Sequence, residues 1–372
     1  VAYNVNLNTT SARRANAVAF DVREKGRIQR QPCPLTGDIV RDAEGNPMWT
    51  PGELNAVKGI GWFIEEFGIA QVSMNLTDIT VTSVHEAFDA VCHSAERRGM
   101  RVTGSELVGL IPLQAVLDAG RHYLRKQQRS TGVSDAELVK IAAKSLGLDD
   151  LKPFDPQKSI IEWVLAAKRG DGRLVAMSVK DFVEETASES PAPGGGSVAA
   201  NLGALGAALG TMVANLSSHK RGWDERWQEF SDWAERGKTC HQQLVTLIDQ
   251  DTEAFGRIMQ AWRLPANSDA EKSAQKKAVQ AATLFAIETP FQVMEVSLES
   301  MAVAKAMVET GMEASVSDAA VAALCARSAV MGAFFNVRIN SNDLNDQAMV
   351  KDFLTRGQSL VDQAQALETE IL

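Results

Sequence analysis

Cysteine is scarce in this chain of 372 residues. Only Cys33, Cys92, Cys240 and Cys325 occur, spaced too widely for a disulfide framework or a paired zinc ligand set, so they are read as reduced thiols. Histidine is nearly as rare, and His85, His93, His122, His219 and His241 show no ligand spacing such as His-Glu-x-x-His, so no metal is expected. Neither sign of charge forms blocks. Lys and Arg number 38 against 47 Asp and Glu, a net charge of −9, which argues against a phosphate backbone as partner and removes nucleic acid from the expected ligands. No secretory leader is expected either, since Val1 to Leu7 has neither a basic head nor a cleavage site. Together with the free thiols this predicts a cytoplasmic protein. The chain also lacks a natural opening: Val1, Tyr3, Val5 and Leu7 alternate with Ala2, Asn4 and Asn6, a strand already under way, which suggests residues upstream. One uncharged stretch, Val198 to Leu216, is about long enough to span a bilayer. Its Ala and Gly content and its Asn201, Thr211 and Asn215 predict a core helix of a soluble bundle, with no membrane as partner.

What is present divides in two. After the first strand, Thr9-Thr10-Ser11 caps a helix that runs to Lys25 and stops at Gly26. Gln29 to Gly52 holds too many Pro and Gly residues for a helix and reads as a loop with a turn at Glu44-Gly45-Asn46-Pro47. Strands at Val57 to Ile64 and Ile69 to Leu76 flank a hairpin turn, Thr82 or Ser83 caps a further helix, and Arg101 to Val108 returns as a strand. The order βαββαβ predicts an α+β domain of ferredoxin-like kind, with extra helices at 113–128, 134–146 and 156–167. The expected organisation is an N-terminal domain over 1–167, a polar linker over 168–177 and an all-α helical-bundle domain over 178–372. Within the last, Thr289-Pro290 reads as a cap followed by Pro at the first helical position.

Three groups of residues could carry chemistry. Leu244, Ile248, Phe255, Ile258 and Trp262 form an apolar helical stripe, and Asp251 falls within it, whereas Asp249 and Glu253 point elsewhere and Glu253 can pair with Arg257. A carboxylate on an apolar face loses hydration and gains a higher pKa, which suits general acid–base work. The competing reading is a buried Asp satisfied by a basic or amide neighbour. Gly194, Gly195, Gly196 and Ser197 precede a helix, so free N–H groups could meet an anion or carbonyl. The spacing is not that of a Walker loop, and a turn with Ser197 as N-cap is the plainer alternative. Asn336 and Asn340, one turn apart, could bond the edge of a heterocycle or simply end their helix.

Longer stretches resemble a known family. Asn55-Ala-Val-Lys-Gly-Ile-Gly-Trp62, Ala70-Gln-Val-Ser-Met-Asn-Leu76 and Thr103-Gly-Ser-Glu-Leu-Val-Gly-Leu-Ile-Pro112 are similar to the C-terminal subdomain of glutamate formiminotransferase. Ala192-Pro-Gly-Gly-Gly-Ser-Val-Ala-Ala200, Asp249-Gln-Asp-Thr-Glu-Ala-Phe255 and Asn336-Val-Arg-Ile-Asn340 resemble the formiminotetrahydrofolate cyclodeaminase domain, in the order of the bifunctional family. The resemblance implies histidine catabolism. A formimino group passes from formiminoglutamate to tetrahydrofolate, which acts as substrate and carrier, and the cyclodeaminase closes 5,10-methenyltetrahydrofolate with loss of ammonia. It implies Asp251 as the deaminase's catalytic residue, folates with polyglutamate tails as ligands and a homo-octameric assembly. No histidine here matches the transferase's catalytic one, and the transferase's N-terminal subdomain has no counterpart, so the resemblance predicts no formimino transfer by this chain alone. Gln29 to Gly52 also falls outside the family pattern. Two alternatives stay open: a methenyltetrahydrofolate cyclohydrolase using the same Asp, and a non-catalytic folate-binding or oligomerising scaffold.

Overall fold

The computed structural model describes residues 1–33, 36–169 and 174–372. Part of the expected 168–177 linker, and Pro34 in the expected loop, therefore lie outside the described residues. Two compact units result. One is built from Val1–Gln127 and the chain from Ser134 to the linker, and the other from Gln128–Val133 and the remainder to Leu372. The short segment belongs to the second unit because its backbone is bonded there: Thr131 N–H donates to Ser231 Oγ at 3.1 Å, and the Gly132 carbonyl accepts from Asn215 at 3.1 Å. No shift in composition announces that excursion.

In the first unit, strands β1 (Ala2–Leu7), β2 (Val57–Ile64), β3 (Ile69–Leu76) and β4 (Val102–Val108) form one sheet in the order β2-β3-β1-β4, each neighbour antiparallel. Tyr3, Val5 and Leu7 pair with Met74, Val72 and Ala70 to make its apolar face. Helix α1 (Ala12–Val22) packs closely there because Gly61 carries no side chain, and a Cβ at that position would collide with the Ala15–Asn16 backbone. Helix α2 (Val84–Glu96) begins at a complete capping box, with Ser83 and Glu86 each bonding the other's backbone N–H. The opposite sheet face is polar yet not open to solvent as simple alternation implies. Asn6 is fully buried, accepting from Gln71 at 2.7 Å and donating to Asp150 at 3.0 Å. Helices α3 (Leu113–Lys126) and α4 (Asp135–Leu146) follow as expected. The single helix expected from Pro156 to Ala167 is broken into α5 (Pro156–Ser159) and α6 (Ile161–Arg169). Ile160 turns extended between them, pairs with Ile111 and is wholly buried, so tertiary burial overrides helical period.

The Gln29 to Gly52 stretch is not a plain loop. Together with Arg27 and Ile28, its described residues form two antiparallel ribbons, Arg27–Ile28 with Trp49–Thr50 and Arg30–Gln31 with Asp38–Ile39. The expected turn closes on Asp42, whose Oδ1 accepts from Glu44 and Asn46 N–H, with Gly45 at φ 85°.

The described residues of the second unit are helical without strands: α7 (Val179–Thr186), α8 (Gly195–Ser218), α9 (Trp227–Trp262), α10 (Asp269–Thr310), α11 (Val316–Ser341) and α12 (Gln347–Ile371). Helix α8 is the centre, packed by α9, α10 and α11. Its small residues serve that position, since a Cβ on Gly206 would stand 2.8 Å from the Ala322 carbonyl. Two helical stretches, Gly195–Ser218 and Glu313–Ser341, are long and apolar enough to cross a membrane by length and composition alone. The rest of the protein buries 61% of the first one's apolar window.

The expected break at Thr289-Pro290 does not occur, because α10 continues through it. Proline lacks the N–H that would bond the carbonyl four residues back, an omission that ordinarily costs a helix about 3 kcal/mol or more. Here the freed Ala286 carbonyl accepts instead from Asn340 Nδ2 at 2.7 Å. A side chain on α11 thus replaces the missing backbone donor.

Candidate active site

Helix α9 sends Leu244 and Ile248 into the core, and Asp251 comes next on that face. Beyond it the expected apolar stripe leaves the core: Phe255 is 48% and Trp262 60% exposed. The reason is the neighbouring wall. Past Asp251 the facing surface is the start of α8 and a cleft rather than packed side chains, and the cleft, of about 160 Å³, is lined by Gly194, Gly195, Gly196, Asp251, Asn336 and Asn340. Five of the expected site residues besides Asp251 therefore meet there. The sixth, Ser197, is fully buried behind the carboxylate rather than in the lining.

The N-cap of α8 is Gly194, not Ser197, and it contributes no side-chain cap. Ser197 lies in the first turn and donates its Oγ–H to Asp251 Oδ2 at 2.8 Å. The anion at this helix N-terminus is therefore the protein's own carboxylate, which meets free backbone donors and the positive end of the dipole. Gly196 makes the approach possible, since any Cβ there would overlap Asp251 Oδ1. Burial pushes the Asp251 carboxyl above its ordinary range, and the Ser197 hydroxyl and N–H pull it back only in part. Asp249 and Glu253 point away as expected, Asp249 accepting Leu174 N–H at 2.9 Å and Glu253 pairing with Arg257 at 2.7 Å.

The two asparagines are more constrained than the sequence implied. Asn336 Nδ2 donates to Gly332 O at 2.9 Å and Asn340 Nδ2 to Ala286 O at 2.7 Å. A carbonyl partner fixes which end of each amide is nitrogen. The oxygens, which carry no hydrogen bond among the described residues, are thus the acceptors a ligand N–H would meet.

Two features escaped the sequence. Thr252 borders the cleft with a buried hydroxyl lacking any partner among the described residues, whereas Thr239 and Thr246 on the same helix bond the carbonyl one turn back. Its position beside Asp251 was the only available signal. The cleft also adjoins a hollow of about 370 Å³ that shares Ile258 and Asn340 and adds Trp262 and Lys276, giving room for a ligand larger than its reacting group. Among the described residues no group of three His, Cys, Asp or Glu side chains could hold a metal ion.

If the Ser197 hydroxyl favours the ionised form, its loss raises the Asp251 pKa further. In Ser197→Ala the limb of the pH–rate profile governed by Asp251 is expected to move to higher pH, and a profile unchanged from wild type would rule out the assignment.

A carboxylic acid of raised pKa, held at a helix N-terminus beside a small polar cleft, is the equipment of general acid–base catalysis. The comparisons with known proteins carry this further. A formiminotransferase domain profile matches residues 2–166, and the formiminotransferase-cyclodeaminase profile matches residues 178–359. The formimidoyltransferase-cyclodeaminase of Mus musculus is 33% identical over 372 residues, covering all of this chain and 65% of the relative. That of Gallus gallus is 36% identical over 347 residues, covering 93% of this chain and 60% of the relative. A methenyltetrahydrofolate cyclohydrolase of Methylorubrum extorquens is 34% identical over 194 residues, covering 52% of this chain and 93% of the relative. The chain belongs to the formiminotransferase-cyclodeaminase family, and it spans 60% to 65% of the length of the two bifunctional relatives.

Proposed function

We propose that the helical unit is a formiminotetrahydrofolate cyclodeaminase, converting 5-formiminotetrahydrofolate to 5,10-methenyltetrahydrofolate and ammonia. The observation that carries this reading is Asp251, raised in pKa by burial and held against the first turn of α8 by Ser197. The chemistry asks for one group that works in both directions. N10 of the folate attacks the formimino carbon and gives up its proton, for which the Asp251 carboxylate is the base. The carbon–nitrogen bond to the former imino nitrogen then breaks, and the same carboxyl, now protonated, gives that nitrogen the proton it needs to leave as ammonia. A carboxyl of ordinary pKa is a poor acid reservoir at neutral pH, and burial moves Asp251 in the direction that improves it. The oxygens of Asn336 and Asn340 are suited to N–H groups of the pterin, and the Gly194 to Gly196 backbone lines the reacting end.

Incubating the chain with 5-formiminotetrahydrofolate is expected to release one ammonia for each methenyltetrahydrofolate formed. Cyclisation without ammonia would sink the reading. The cyclohydrolase reading is favoured by one observation, the likeness to the Methylorubrum enzyme over the helical half, and it predicts consumption of methenyltetrahydrofolate with no ammonia in balance.

For the first unit the strand order β2-β3-β1-β4 with two crossing helices supports a ferredoxin-like sandwich, here of a formiminotransferase's C-terminal subdomain. The whole protein would then also transfer the formimino group from formiminoglutamate to tetrahydrofolate, in the cytoplasm and without a metal. A homo-oligomer, octameric by the family resemblance, accords with the apolar side chains left outside on α8 and α11, among them Leu205, Phe335 and Ile339 at 54%, 57% and 63% exposure.

A further inference from the structure

Arg27, Ile28, Arg30 and Trp49 build a wall. With helix α1 it encloses a pocket of about 610 Å³ in the first unit, to which Arg13, Arg23, Arg27, Arg30, Phe20 and Trp49 contribute and no acidic residue does. The charges are unevenly neutralised. Arg27 pairs with Asp21, but that carboxylate already binds Arg98 and Ser94, so its single negative charge is shared. Among the described residues Arg23 has only carbonyl hydrogen-bond partners, Gly26 at 3.0 Å and Gly59 at 3.2 Å, and it lies over the Phe20 ring at 4.3 Å. Among the described residues Arg30 bonds only the Gly37 carbonyl, at 2.9 Å, and Arg13 bonds nothing. Burial alone lowers the Arg23 pKa, which agrees with a guanidinium that no carboxylate stabilises.

Three unpaired guanidiniums held around one hollow repel each other. Carbonyls fix Arg23 and Arg30, the Phe20 ring backs Arg23 and Arg13 stands exposed at the rim, and their forked donors match carboxylate or phosphate oxygens. Between them the lining includes the apolar side chains of Phe20, Ile28 and Trp49 beside Asn16. We propose that this pocket binds a small anion carrying at least two negative charges, phosphate or carboxylate, on a planar body. The charged end meets Arg13, Arg23 and Arg30, and the planar body meets the side of Phe20 and Trp49.

Isothermal titration calorimetry on the full chain at low salt tests this with four probes. Adenosine diphosphate carries phosphates and a ring, benzene-1,3,5-tricarboxylate carries carboxylates and a ring, pyrophosphate carries charge alone and adenosine a ring alone. One of the first two is expected to bind at least tenfold more tightly than pyrophosphate or adenosine, and whichever does identifies the anion. Arg30→Glu should weaken that binding at least tenfold. Arg13→Glu, at an exposed side chain without partners, should do the same while leaving the melting temperature unchanged. Absence of binding by both ringed anions, or equal binding by wild type and both variants, overturns the proposal. None of these measurements involves Asp251, so the deaminase reading stands or falls separately.

Discussion

Asp251→Asn is expected to lower cyclodeaminase turnover by about a hundred- to ten-thousand-fold, the range that a positioned acid–base group supplies. The same change should not harm the fold. Asn keeps the shape and an acceptor for the Ser197 hydroxyl, and it removes a charge that burial disfavours. The sign follows from linkage. A carboxyl whose folded pKa is raised contributes stability that is fully present below its unfolded pKa and is lost as pH rises through the folded one, so above the folded pKa the ionised wild type carries a penalty that the variant escapes. Melting temperature at neutral pH should be equal or higher in the variant, and the difference should close as pH is lowered and wild-type Asp251 takes up its proton. A variant that turns over at the wild-type rate would refute the role of Asp251. A variant that is inactive but much less stable would mean that the carboxylate holds the helices together instead.

The second large effect is expected at Gly196. Alanine normally stabilises a helix by about 1 kcal/mol relative to glycine, so helix propensity alone favours Gly196→Ala. The added methyl group, however, overlaps Asp251 Oδ1, and the atoms on either side are a helix backbone and a carboxylate fixed by Ser197. The carboxylate must swing away. Turnover should fall by about a hundredfold, since small misplacements of a reacting group cost that much, and overpacking should lower stability by about 1–3 kcal/mol. Gly256 on α9 is the internal control, because a Cβ there meets nothing within 4 Å. Gly256→Ala should gain about 1 kcal/mol of stability and leave turnover intact. Equal activity in both alanine variants would show that close approach at position 196 is unimportant.

Much of the site was legible because helical period is a local property. Asp251 could be placed on the apolar face of α9 by counting from Leu244 and Ile248, and the Glu253–Arg257 pair by the same count. The stripe failed at Phe255 and Trp262 because periodicity says which way a side chain points, not whether another element stands opposite. In the same way, glycines 194 to 196 advertised a helix start, but only the folded chain reveals that the anion received there is Asp251 itself. The misreadings share one cause. Ile160, Pro290 and the Gln128–Val133 segment each take their conformation from residues 49 to about 100 positions away, Ile111 for the first, Asn340 through Ala286 for the second and Ser231 for the third. No window of local sequence contains those partners.

The replacement of a backbone donor at Pro290 by the Asn340 side chain bears on how this protein can change over time. Restoring an ordinary residue at 290 would give the Ala286 carbonyl, which has two lone pairs, a second donor and make the Asn340 bond dispensable to the helix. Removing the amide at 340 would leave a carbonyl inside α10 with no donor at all. The dependence runs one way: Asn340 is needed for as long as Pro290 stays, so descendants are expected to lose the proline before, or together with, the asparagine, an order of change imposed on one helix by another.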